Sequence, residues 1–314
     1  MTDALWIASL IGGTVLIVLG AELFAEHLAG ASARLGLSAF ALAVLLAGAE
    51  PEELGTVVTA SARGVDGVAF GDIIGANAAI VTVALGVGAV VAALPFGRRI
   101  QRYALGGLAA ALFAAPIIWD GRVSRLEGAV LVTAYLVFVG WIWKAERQPP
   151  ALGETAELNE ERDVDGPIGR DLILVLGGLI ALTGGSMILV ESVRQLSSLE
   201  DTQTRLGLIV VGFATAFELV VLAWSAGRRG MPEAAVAGVI GSFAYNLTMS
   251  LGAGALVAPI QIADATIIRV PYAFMAMLMV VVVMVGSRFD RIGRRFGLVL
   301  LSLYPVFVVV SLVA

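Results

Sequence analysis

The chain has no cysteine, a single histidine (His27) and only 14% charged residues among 314. Without cysteine there is no disulfide framework, no thiol nucleophile and no thiolate-bound metal. One histidine leaves no room for a His-rich metal site. A soluble domain averages about 25% charged residues. The low charge, with 59% apolar residues and a mean hydropathy of +0.94, therefore excludes a soluble or disordered chain. A net charge of −5 and the lack of any long basic run exclude a nucleic-acid binder. The 37 glycines and 10 prolines lie mostly inside apolar stretches, as is usual for polytopic membrane helices. The N-terminal stretch lacks a basic n-region and runs past Glu22, so a spanning segment rather than a cleavable signal is expected there.

A helix needs about 20 apolar residues to span the hydrocarbon core. Ten such segments are predicted, at about 4–32, 37–62, 67–94, 102–118, 123–144, 169–196, 206–227, 232–258, 269–287 and 294–313. The runs are continuous rather than alternating, which argues against a β-barrel. The 20 basic residues then divide six to fourteen between the two faces. By the positive-inside rule the richer face, which holds Arg98, Arg99, Arg102 and Arg291, is cytoplasmic. Both termini are then external. The acidic segment 145–168, with Pro149-Pro150, reads as a cytoplasmic linker between the halves 1–144 and 169–314.

Five spans per half gives two halves that enter the membrane in opposite directions, the mark of an inverted-repeat transporter. The sequence carries traces of that repeat. Gly20-Ala21-Glu22 through Glu26 matches Gly185-Ser186-Met187 through Glu191 at an offset of 165. Glu53-Leu54 matches Glu218-Leu219 at the same offset, and residues 71–86 match 237–252 at 166.

Ionisable residues inside a span mark a pathway or a binding site by default. The second span contains Gly48-Ala49-Glu50-Pro51-Glu52-Glu53-Leu54, and Pro51 should break the helix there. The seventh contains Phe213-Ala214-Thr215-Ala216-Phe217-Glu218-Leu219. Asn77, Ser242 and Asn246 lie in the third and eighth spans beside Gly75 and Gly241, which read as packing glycines. Glu50, Glu53, Glu218 and Asn246 are the expected metal ligands, with Thr215, Ser242 and Asn77 as further oxygen donors. Glu50 lies one turn before Glu53, so both can share a face. Glu52 adjoins Glu53 and is expected to point elsewhere. Such a set, oxygen-rich and without sulfur or imidazole, suits Na⁺, Ca²⁺ or Mg²⁺. Glu22, Glu26 and Glu191 are secondary candidates for a gate or proton path; His27 reads as interfacial, and Trp141 and Trp143 as a membrane-interface belt.

These segments resemble the alpha repeats of the cation/calcium exchanger superfamily. In that family a G-T-S-L-P-E-L-like helix break precedes a G-S-N-x-x-N/D-like segment in each half. Glu53 and Glu218 match its paired central glutamates, and Thr215, Ser242 and Asn246 its accessory ligands. The resemblance implies an all-α polytopic membrane protein with ten transmembrane helices in two inverted five-helix repeats. It further implies a secondary cation antiporter working by alternating access, exchanging Ca²⁺ for Na⁺, in a prokaryotic plasma membrane. The chain departs from the pattern at several places. Ala49, Ala214, Ala76, Ile80 and Phe243 replace polar residues, Glu50 replaces a serine, and Glu52 and Phe217 replace prolines. The missing proton-exchanger signature favours sodium, whereas extra carboxylates in a low-dielectric site suit protons. The alternatives are thus a Ca²⁺/H⁺ or other cation/proton antiporter, or a divergent member without calcium exchange. No resident cofactor is expected. The expected partners are the bilayer and inorganic cations, with no nucleic acid and no protein partner inferable. An intramembrane hydrolase is disfavoured, because no nucleophile accompanies the acids.

Overall fold

The structure is a computed structural model describing residues 3–34, 50–146 and 168–314. Lipid offers no partner to backbone N–H and C=O groups, so the apolar runs close their own hydrogen bonds as helices. In chain order these are α1 (Asp3–Arg34), α2 (Pro51–Ala62), α3 (Asp66–Val91), α4 (Arg98–Ile118) and α5 (Arg125–Glu146). The second half follows with α6 (Ile168–Leu196), α7 (Glu200–Arg228), α8 (Pro232–Tyr245, Asn246–Ser250 and Leu251–Val257), α9 (Thr266–Phe289) and α10 (Arg294–Val313). Among the described residues, nine of these are long and apolar enough to cross a membrane. The remaining helix, α2, is the described part of the second predicted span. Residues 37–49 of that span, and 147–167 of the predicted linker, lie outside the described residues.

Several helices begin earlier than the apolar runs suggest. α4 starts at Arg98 rather than 102, α7 at Glu200 rather than 206, and α9 at Thr266 rather than 269. Hydropathy locates the hydrocarbon core, but a helix keeps its hydrogen-bond ladder into the polar headgroup layer.

Two helices form the centre. Of the most apolar stretch, 83% is buried in α3 and 94% in α8, against 28% in α1 and 22% in α10. The outer helices turn large apolar side chains such as Leu5, Ile11, Leu19, Ile173 and Val309 outward, as lipid contact requires.

The two halves repeat each other in detail. Both central helices loosen into a single π-helical turn, at Ile80–Ala84 and Asn246–Ser250. In each turn a threonine bonds back to a carbonyl one turn earlier, Thr82 to Ala78 and Thr248 to Ala244. α2 and α7 both end at a glycine with positive φ, Gly64 (65°) and Gly230 (78°), where a Cβ would be strained. Two short ribbons tie the halves together. β1 (Leu94–Pro95) pairs with β4 (Arg291–Ile292), and β2 (Arg122–Val123) pairs with β3 (Ile260–Gln261). β1 and β3 follow the third helix of each half, while β2 and β4 follow the fourth. One two-fold operation therefore exchanges the two pairings.

Glycines set the closest helix contacts, because a missing Cβ lets backbones meet. On α1 and α6, a Cβ at Gly13 would lie 3.0 Å from the Gly185 carbonyl oxygen. One at Gly178 would lie 2.8 Å from the Gly20 oxygen. These two contacts are equivalent under the same two-fold. At the α3–α7 crossing, a Cβ at Gly75 would reach the Leu208 oxygen at 2.2 Å, and one at Gly212 the Ala76 nitrogen at 2.4 Å.

Candidate cation-binding site

The site is built where two helices start or break inside the protein. Pro51 occupies the first turn of α2, where its missing N–H costs nothing. Glu50 is the N-cap, outside helical geometry at φ −102° and ψ 78°. Glu50 thus stands just before the helix rather than one turn back along a shared face, and it still comes together with Glu53. The expectation that Glu52 points away is corrected. At a helix start the three side chains fold over the same open end, and one oxygen each from Glu50, Glu52 and Glu53 lies within 4.8 Å of the others. All three side chains are fully buried. The positive end of the helix and its free N–H groups face them.

α7 is interrupted at the matching place without a proline. Its first part ends at Thr215, Ala216 leaves the helix at ψ −6°, and the helix resumes at Phe217. Glu218 therefore sits in the first turn of a new helical segment, as Glu53 does in α2. Glu218 is only half-buried and lies outside the close carboxylate group. Glu218 lies near enough to Glu52 and Glu50 for their charges to interact. On its other side Glu218 faces Glu22 of α1, which is exposed.

The central helices complete the site. Ser242 of α8 donates its hydroxyl to Glu50 Oε1. Asn246 opens the π-helical turn of α8, and Asn77 lies just before that of α3; both are fully buried. Such turns expose backbone groups and recur at functional sites. Thr215 donates to Asp72 Oδ1 at 2.8 Å, joining α7 to α3. Asp72 is fully buried and borders Glu53. Asp72 is not among the residues expected from the sequence, although a carboxylate in the middle of the apolar third span is a sufficient signal.

About nine in ten buried polar atoms in proteins have a hydrogen-bond partner. Here most of the exceptions among the described residues belong to one group of carboxylates and amides. Among the described residues, Glu50 Oε2, both oxygens of Glu52 and Glu53, Asp72 Oδ2 and Glu218 Oε2 have none. The side-chain amides of Asn77 and Asn246 are also unpartnered. These are hard oxygen donors oriented for something other than protein.

The secondary candidates lie elsewhere. Glu191 is paired with Arg63 at 3.3 Å and with Arg194 at 3.8 Å, and accepts from Gln195. His27 meets Asp171 of α6 at 3.3 Å. Trp141 is half exposed on the outer face of α5. The side chain of Glu26 lies outside the described residues.

Comparison with known proteins now bears on the whole arrangement. The sodium/calcium exchanger protein family matches residues 5–144 and 171–313. The chain belongs to that family. It is 24% identical to an uncharacterized membrane protein of Methanocaldococcus jannaschii, over 94% of this chain and 91% of that one. It is also 24% identical to the sodium/calcium exchanger MaX1 of Methanosarcina acetivorans, over 95% of this chain and 96% of that one. Structures of the sodium-calcium exchanger NCX_Mj soaked with Na⁺ and Sr²⁺ superpose with a TM-score of 0.63 at 21% identity, covering 98% and 99% of the two chains. That likeness establishes the fold.

Within the exchanger fold, the chain's departures have structural reasons. Ala76 is fully buried at the α3–α7 crossing, where its backbone packs against Gly212. Phe243 is fully buried and packs toward α4 at Gly107. Ile80 is likewise buried in the core. Ala76, Ile80 and Phe243 thus serve apolar packing, while Glu50 and Glu52 are buried carboxylates.

Proposed function

We propose that this exchanger-family protein is a secondary active antiporter that trades Ca²⁺ for Na⁺ at the buried carboxylate centre. The observation that carries the reading is the gathering of unpartnered oxygens from both halves at helix starts and π-helical turns. A spacing of up to 4.8 Å between carboxylate oxygens is about twice a Ca²⁺–O distance of about 2.4 Å. Glu50, Glu52 and Glu53 can therefore hold one ion between them. Glu218, Asn246, Asn77, Ser242 and Thr215 are placed to add donors from α3, α7 and α8. The family is one of transporters, and nothing at the centre suits a nucleophilic reaction, so we read the protein as a carrier rather than an enzyme. Its partners on this reading are the bilayer and inorganic cations, and it needs no resident cofactor.

Transport follows from the charge. A centre with several carboxylates is costly to carry across a bilayer without counter-ions, so the protein switches sides only when loaded. The moving part is the α1–α6 pair. These helices contact each other far more than they contact the bundle, and glycines line their mutual face. Sliding of this pair would open Glu218 toward one side or the other, with exposed Glu22 along the route. The six-to-fourteen split of basic residues supports a topology with both termini outside and the acidic linker in the cytoplasm, and we read the membrane as a prokaryotic plasma membrane.

Reconstitution tests this. Proteoliposomes loaded with Na⁺ should take up radioactive calcium against a Na⁺-free bath, and Glu53→Gln and Glu218→Gln should each reduce uptake at least about tenfold. Unchanged uptake in both variants would remove the site assignment. One observation favours a second reading, H⁺ as the coupling ion. Glu50, Glu52, Glu53, Asp72 and Glu218 make five carboxylates, more negative charge than one Ca²⁺ balances. Uptake driven by a pH gradient without Na⁺ would select that alternative.

A further inference from the structure

The two strand ribbons lie at equivalent places, yet their charged surroundings differ. Around β2–β3, the neighbouring helix starts are capped by the chain itself. Ser124 and Glu127 form a reciprocal cap at the start of α5, with Glu127 accepting from the Ser124 amide at 2.8 Å and the Glu127 amide returning to the Ser124 hydroxyl at 3.3 Å. Asp264 accepts from the Thr266 amide at 2.8 Å at the start of α9. The arginines there are engaged as well: Arg125 donates to the Val257 carbonyl and Arg269 to the Trp119 carbonyl.

Around β1–β4 the pattern reverses. The starts of α4 and α10 have no side-chain cap and no acidic residue in the first turn. Instead they carry Arg98-Arg99 and Arg294-Arg295, and the ribbon adds Arg291 with Arg288 just before it. Arginine at a helix N-terminus opposes the helix dipole, so intrahelical stability does not explain the placement. Arg98, Arg288, Arg291, Arg294 and Arg295 are exposed, and among the described residues none of them makes an ion pair. Asp290 is the acidic side chain within this stretch, and it pairs with none of them. The backbone beneath is firm. Phe96 is fully buried against Gly286, its amide donates to the Asp290 carbonyl at 2.9 Å, and Gln101 donates to the Phe96 carbonyl at 3.1 Å. Residues nearly 200 apart in sequence are thereby held as one basic surface at the membrane's edge.

We propose that this arginine surface over the β1–β4 ribbon binds the phosphate headgroup of an anionic phospholipid. Arginine matches phosphate oxygens in a planar, bidentate way. A group of 4–8 basic residues at the membrane edge attracts anionic lipid at about 1 kcal/mol per residue. The phosphate would also meet the free N–H groups of two helix starts, where Gly97 and Gly293 leave open space. The lipid would bridge the two halves at the ribbon that joins them. This surface lies apart from the carboxylate centre, so the inference stands or falls independently of transport.

Native mass spectrometry of the purified full chain tests it, with phosphatidylglycerol and phosphatidylcholine added in turn. Phosphatidylglycerol should bind preferentially, and the triple variant Arg291→Gln/Arg294→Gln/Arg295→Gln should weaken that binding roughly a hundredfold, three residues at about fivefold each. The double variant Arg122→Gln/Arg125→Gln, at the other ribbon, should keep it. Equal binding of the two lipids, or an unaffected triple variant, overturns the proposal. Inorganic phosphate at millimolar concentration serves as the third arm. If it displaces phosphatidylglycerol completely, the surface is a site for a soluble anion and the lipid assignment is wrong. A thermal unfolding midpoint of the triple variant equal to that of the wild type, without lipid, shows that the change lies in binding.

Discussion

At the scale of single residues, the carboxylates differ in how they are held. Asp72 has one oxygen engaged by Thr215 and the other unpartnered. Thr215→Val would leave a buried carboxyl oxygen without its donor, and should cost about 1–3 kcal/mol in unfolding free energy. Denaturant unfolding in detergent measures that cost. Asp72→Asn keeps an acceptor for Thr215, so the fold should survive; the Ca²⁺ concentration giving half-maximal uptake should rise severalfold. Glu53 and Glu218 were legible from the sequence because the repeat pairs them. Glu52 was not, since adjacent residues on a regular helix diverge. The start of α2 beneath Pro51 is what lets Glu52 join its neighbours.

Element-scale packing is governed by glycine. At the α3–α7 crossing a new methyl on Gly212 meets the α3 backbone, and backbone cannot yield as a side chain can. Gly212→Ala should therefore destabilise by about 1–3 kcal/mol, read as a lowered thermal midpoint. Gly140 on α5 has nothing within 4 Å of its would-be Cβ. Gly140→Ala should be neutral or stabilise by up to about 1 kcal/mol, because alanine is the better helix former. Gly20→Ala is the informative case for movement. Its methyl would lie 2.5 Å from the Leu182 nitrogen on α6, so it should slow calcium uptake more than it lowers stability. Among the described residues, the order of the helices was readable from hydropathy. The exact starts were not, because a helix persists into the headgroup layer where apolar counting ends.

For the molecule as a whole, ligand binding and stability are linked. A cation held only by the folded state should raise stability by about 2.7 kcal/mol at a hundred times its dissociation constant. Ca²⁺ should therefore raise the thermal midpoint strongly and Mg²⁺ weakly, since Mg²⁺ sheds its water reluctantly. The combined Glu50→Gln/Glu53→Gln variant should abolish the Ca²⁺ response. The amino-acid sequence by itself determined that the chain lives in a bilayer, where its spanning helices lie, and that its halves repeat with opposite direction. Those properties depend on local hydropathy and on spacing along the chain, which a linear reading contains. Tertiary structure alone decided which oxygens meet. Thr215 reaches Asp72 across 143 positions, Ser242 reaches Glu50 across 192, and a two-residue ribbon pairs the segments that precede α4 and α10. The physical reason is that helix breaks and glycine crossings set the approach of distant backbones, and side-chain convergence follows from that approach.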